Sequence, residues 1–156
     1  MNHARYDTFD PLLRVRVLAA ALPGSVVAER SLNAKFEQVW RVVTDLETMA
    51  PRYETNLTAV QYVERSPEKD RIIASLRGGY DEEMDVRIVR GWCLMQSQSF
   101  VVAYGARPEG SRTLLSHLEH SRTGTVSTPT VQQLHRAQEM LARELDAIEA
   151  LATGLP

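Results

Sequence analysis

Residues 128 to 151 narrow the fold more than any other stretch, because they read as one long amphipathic helix. Val131, Leu134, Leu141, Leu145, Ile148 and Ala152 recur at helical spacing on one face, with Arg136, Glu139, Arg143 and Asp146 opposite. Thr128 offers a hydroxyl cap, Pro129 suits the first helical position, and Gly154 ends the helix. A helix this long and this apolar on one side must lie on an apolar surface, and the middle of the chain reads as a sheet. Gln138 breaks the stripe. Left without partners, a buried amide costs about 1–3 kcal/mol. It therefore either meets a ligand carbonyl or a water in a cavity, or sits at the stripe's edge and reaches solvent past Ala142.

The remaining elements follow from periodicity. Asp10-Pro11 caps a helix carrying Leu12, Val15, Ala19 and Leu22, and Pro23-Gly24-Ser25 is a turn. Val26 to Leu32 is a short strand. Asn33 is the expected cap of a helix whose stripe is Phe36, Val39, Trp40 and Val43. A second short turn, Leu46 to Met49, is expected to stop before Pro51. Alternating segments follow at Leu57–Glu64, Arg71–Arg77, Glu83–Arg90, Trp92–Gln98, Phe100–Arg107 and Thr113–Arg122, and residues 123 to 128 form a polar linker. The order is strand, two short helices, six antiparallel strands and a long helix, with an extra helix in front. That is an α+β chain in which residues 1 to 24 extend a domain spanning 25 to 156. A curved antiparallel sheet holding a helix commonly leaves a cavity between the two.

Composition excludes several functions. A net charge of −2 and a pI near 6.1 offer no basic surface for nucleic acid or an anionic membrane. The single cysteine, Cys93, cannot form an internal disulfide, which fits a reducing, cytoplasmic setting. No apolar run is long enough for stable membrane insertion. Arginine outnumbers lysine 16 to 2, a bias of GC-rich, bacterial genomes. There is no cysteine pair, no His-x-x-x-His set, no glycine-rich phosphate loop and no Gly-x-Ser-x-Gly elbow. No metal and no cofactor are therefore expected.

The front of the chain carries a family resemblance. Ser31-Leu32-Asn33-Ala34-Lys35-Phe36-Glu37-Gln38-Val39-Trp40, followed by Asp45-Leu46, resembles the START-like, Bet v 1-like superfamily (SRPBCC), also called the polyketide cyclase/dehydrase and lipid-transport family. Leu22-Pro23-Gly24-Ser25 is similar to a leader in some bacterial members, and Ala106 to Leu115 with the closing helix fit the family's last hairpin and last helix. Lys35 departs from the proline many members carry. The resemblance implies a helix-grip fold, a curved antiparallel sheet of about seven strands wrapped around the C-terminal helix, and an internal cavity for a small hydrophobic molecule. It does not select an activity.

Candidate site residues concentrate on the last hairpin. With the turn centred on Glu109-Gly110, Tyr104 lies opposite Leu115, Val102 opposite His117 and Phe100 opposite Glu119. His117 and Glu119 are then same-face neighbours, and a carboxylate beside a histidine raises its basicity. With Tyr104 they form a catalytic set for enolisation, aldol closure or dehydration of a carbonyl compound. The alternative is that His117 and Glu119 lie on a wet convex face while Val101, Ala103, Leu114, Ser116 and Leu118 form the core. In the fold the resemblance implies, Tyr53 sits at the cavity mouth with Arg52 beside it, or packs against the sheet rim. Trp40, read first as helix core, completes the ligand set with Gln138, Tyr53, Arg52 and Met84, the last suited to a pliable apolar wall. Two functions remain open, a cyclase/dehydratase-like enzyme and a non-catalytic carrier or sensor of a lipid, quinone or isoprenoid. The N-terminal helix leaves a homodimer open.

Overall fold

The structure is a computed structural model that describes residues 9 to 122 and 129 to 156. The elements run α1 (Pro11–Ala21), β1 (Val26–Leu32), α2 (Phe36–Thr44), α3 (Ala50–Tyr53), β2 (Leu57–Arg65), β3 (Asp70–Leu76), β4 (Tyr80–Val89), β5 (Trp92–Gln96), β6 (Phe100–Glu109), β7 (Arg112–Ser121) and α4 (Val131–Thr153). The strands form one antiparallel sheet in the order β1-β7-β6-β5-β4-β3-β2; α4 packs on its β1–β7 end together with α2, while α3 sits between α4 and the opposite edge strand β2. This is the α+β order expected from the alternating segments and the long helix, in the helix-grip architecture that the family resemblance implies.

Local chemistry moves several boundaries. The α4 cap is Thr130, whose hydroxyl accepts the Gln133 N–H at 3.1 Å while the Gln133 side chain accepts the Thr130 N–H at 2.8 Å, a reciprocal capping box. The expected cap, Thr128, lies outside the described residues, as does the linker of residues 123 to 128. Asn33 does not cap α2. Its N–H goes to Glu149 at 2.7 Å and ties the end of β1 to α4, while Lys35 takes the cap position. Pro51 opens α3 instead of stopping the previous turn, because a proline costs no hydrogen bond in a first helical turn.

On the last hairpin, strand pairing continues through Pro108 and Glu109 to a turn at Gly110-Ser111, with Gly110 at φ 61°. Tyr104 therefore pairs with His117, Val102 with Glu119 and Phe100 with Ser121, two residues on from the expected register. An even shift leaves every side chain on its expected face, where a shift of one would have reversed them all.

Both faces at the β5–β7 end are covered. Toward α4 the core gathers Leu32, Val39, Val43, Cys93, Tyr104, Leu115, Leu145, Ile148 and Ala152. Toward α1 it gathers Val15, Trp92, Val101, Ala103 and Leu118. Gly105 makes the second layer feasible, since a Cβ there would lie 2.8 Å from the Pro11 carbonyl carbon and 2.9 Å from Val15 Cγ2. The start of α1 is held by its cap, with Asp10 accepting the Leu12 N–H at 3.0 Å and pairing with Arg107 at 2.7 Å.

Candidate functional site

The α4 stripe is buried at Leu141, Leu145, Ile148 and Ala152, but Val131 is 86% exposed. One polar residue sits within the buried part, and it is Glu144, only 1% exposed. Glu144 lies three residues after Leu141 and four before Ile148, so helical periodicity points it at the sheet. There it meets His117, which is fully buried on β7, and Glu144 Oε2 lies 3.0 Å from His117 Nε2.

Three further groups close on the same nitrogen. Tyr104, cross-strand from His117, stacks on the imidazole with ring centroids 4.1 Å apart and planes 6° apart, and its hydroxyl is 3.2 Å from Nε2. Glu119, two residues along β7, brings a carboxylate oxygen to 3.6 Å, and Glu54, just past α3, brings one to 3.8 Å. The Tyr104 hydroxyl also donates to Glu54. The surroundings fix the remaining atoms. His117 Nδ1 faces the Ala103 carbonyl oxygen at 3.3 Å, and Glu144 Oε1 accepts the Thr55 N–H at 2.9 Å. Tyr53 meets the Tyr104 ring edge-on at 6.2 Å and donates its hydroxyl to the Val43 carbonyl at 2.9 Å.

Burial and charge act in opposite directions on these groups. Burial alone would lower the basicity of His117, but the Glu119 and Glu144 carboxylates outweigh it and raise its pKa to about 10. Burial pushes the Glu54 carboxyl up to about 8; the His117 charge opposes this, and Glu119 and Glu144 add to it. Glu119 is held below the usual carboxylate range because His117 overcomes the effect of burial. Burial pushes the Cys93 thiol up to about 12, which makes it a poor nucleophile.

A cavity of about 950 Å³ adjoins this cluster. Its walls include Leu57, Val60, Ile72, Met84, Met95 and Leu141, with Glu54 and Glu119 as the cluster members that face it. His117, Tyr104 and Glu144 stand behind them. The sequence-level set is thus brought together in part. His117, Tyr104 and Glu119 converge, and Met84 lines the cavity.

Four residues of the expected ligand set are not among the lining residues. Gln138 is exposed, one position outside the arc that turns toward the sheet, so it reaches solvent. Tyr53 is buried against α2 and Tyr104, and Arg52 is exposed. Trp40 stacks on Phe36 at 5.9 Å and packs, half-buried, against the core beside α2. Sequence reasoning missed Glu54 and Glu144. The three-and-four spacing of Glu144 from Leu141 and Ile148 was a usable signal, whereas no local pattern marks Glu54.

No protein-family model matches the sequence, and no curated protein matches it. Solved structures do. A START superfamily protein from Mycobacterium smegmatis superposes with a TM-score of 0.63 at 17% identity, over 85% of this chain and 99% of that one. The KanY protein gives 0.66 at 14% identity, over 85% and 99%. The Zhui aromatase/cyclase from Streptomyces gives 0.57 at 14% identity, over 83% and 93%. The chain has the START-like, helix-grip fold. At these identities the START-like likeness concerns the fold, and the chemistry must be argued from the cavity and its polar wall. No described helix is long and apolar enough to cross a membrane.

Proposed function

We propose that the chain binds a small hydrophobic, carbonyl-bearing molecule in its cavity and acts on it as a cyclase/dehydratase-like enzyme, by enolisation, ring closure and loss of water. One observation carries the reading: two carboxyl groups on the cavity wall, Glu54 and Glu119, are backed by the buried His117, Tyr104 and Glu144. Burying several ionisable groups together is costly, and ligand retention alone gains nothing from it. Proton transfer does. Glu119 is the base that would take a proton from the carbon next to a carbonyl. Glu54 is the acid that would protonate the carbonyl oxygen and later the departing hydroxyl. Tyr104 and His117 relay and hold charge behind them. The apolar walls would keep the chain folded and water out.

The solved aromatase/cyclase of the same fold supports this chemistry, and the START protein supports a carrier as the second reading. A lipid, quinone or isoprenoid carrier needs the cavity but not the polar wall. A linear poly-β-ketone thioester mimic separates the two. The wild type is expected to cyclise it, and Glu54→Gln to lose about 10²–10⁴-fold in turnover while still binding the mimic. Equal turnover by Glu54→Gln would remove the proton-transfer role. A co-purified apolar ligand that stays chemically unchanged would favour the carrier.

A further inference from the structure

We infer that Glu54, His117, Glu119 and Glu144 form a binding site for one divalent first-row transition ion. It concerns the same centre as the proposed chemistry and rests on its residues, not on its reaction.

Nothing in the local sequence suggests such a site, because the four ligands come from the end of α3, two positions of β7 and the middle of α4. In space, one ligand atom from each lies within 4.8 Å of all the others. From His117 Nε2 the carboxylate oxygens are 3.0, 3.6 and 3.8 Å away. A tetrahedral ion bonded to nitrogen and oxygen at about 2.0–2.2 Å separates its ligands by roughly 3.3–3.6 Å, so the cluster is already close to the size such an ion requires.

The surroundings argue for the same occupant. A histidine that binds a metal through one nitrogen typically donates from the other to a carbonyl or carboxylate, which fixes the tautomer. His117 Nδ1 faces the Ala103 carbonyl in that manner and leaves Nε2 aimed at the three carboxylates. Glu144 is oriented the same way, with Oε1 held by the Thr55 N–H and Oε2 turned to the centre. Tyr104 supports Glu54. The charge balance points to the same occupant. Among the described residues no lysine or arginine bonds to any of the three carboxylates, and one imidazole is their only basic partner. Buried charges are normally paired or bound to a metal. One nitrogen and three carboxylates suit Zn²⁺, Fe²⁺ or Mn²⁺; Ca²⁺ takes six to eight oxygens and Mg²⁺ keeps its waters. An ion held here would adjoin the cavity through Glu54 and Glu119.

The test uses the full chain stripped with EDTA and titrated with MnCl₂, ZnCl₂ or MgCl₂, read by calorimetry and by the electron paramagnetic resonance of Mn²⁺. The expected result is one saturable Zn²⁺ or Mn²⁺ per chain, weak binding of Mg²⁺, and about 10-fold or greater loss of affinity in Glu119→Gln. Glu119 is the most exposed of the four, so this variant keeps the fold and its circular dichroism checks that. No saturable binding at millimolar metal, or equal binding by wild type and Glu119→Gln, overturns the inference. Turnover of the poly-β-ketone mimic by stripped protein that binds no ion would overturn the metal site and leave the acid–base reading standing. One-to-one binding without turnover would do the reverse.

Discussion

The two faces of the β6–β7 hairpin use the same ten-residue strands and reach the same depth of burial, yet they are built oppositely. Under α1, Val101, Ala103 and Leu118 meet Val15 and Trp92 in an apolar layer, with the Arg14 guanidinium over the Trp92 ring. Under α4, Tyr104 and His117 meet Glu54, Glu119 and Glu144. Apolar packing suffices for stability on the first face, so the fold has no need of a buried charge on the second. The polar face adjoins the cavity and the apolar face supports it from behind. The contrast separates what holds the hairpin in place from what the hairpin presents.

The largest expected effect comes from leaving the polar face half-built. His117→Leu strands three carboxylates without their basic partner and is expected to cost about 3–5 kcal/mol in urea unfolding, as for other broken buried ion pairs. Adding Glu54→Leu and Glu144→Leu should restore most of that loss while leaving the protein inactive. If the triple variant is no more stable than the single one, the polar face is contributing to the fold and the contrast fails.

Leu118→Ala tests the opposite face. Leu118 is completely buried under α1, and the change should cost about 2–5 kcal/mol while turnover on the mimic is unchanged at a temperature where the variant is folded. Lost turnover in a folded sample would mean that the two faces are coupled through the strands.

The polar face can also be read through pH dependence in EDTA-treated protein. Glu54 titrates near 8 in the folded chain against an ordinary 4.5, so the folded state holds the extra proton and stability falls as pH rises across that window. His117 titrates near 10 against 6.5, so its contribution is complete below 6.5 and lost as pH rises through 10. Melting temperature should therefore decline from pH 6 to 10. Glu54→Gln should flatten the lower part of that decline. A melting profile that rises over this range would contradict the charge pattern of the polar face.

Much of this is legible in the chain. Alternation placed Tyr104, His117 and Glu119 on one face, and that survived a wrong turn because the register error was even. The buried end of the α4 stripe was equally readable, since Leu141, Leu145, Ile148 and Ala152 follow the helical period. Gln138 was less so. The α4 helix leaves the sheet toward its N-terminus, where Val131 is exposed and the buried arc narrows, and the amide falls outside it.

Sequence by itself determined the order of elements and the two faces of the last hairpin, because each rests on a period of 2 or 3.6 residues, while the seven-stranded helix-grip fold came from the family resemblance. Only the tertiary structure decided that His117 lies in a closed core, that α1 seals the other face, and that Glu54 and Glu144 join the centre. The physical reason is distance along the chain. Glu54 and Glu144 are 90 residues apart, and both come within hydrogen-bonding or ion-pair reach of one nitrogen only once the sheet has folded against α4. No local period can encode a meeting of that kind.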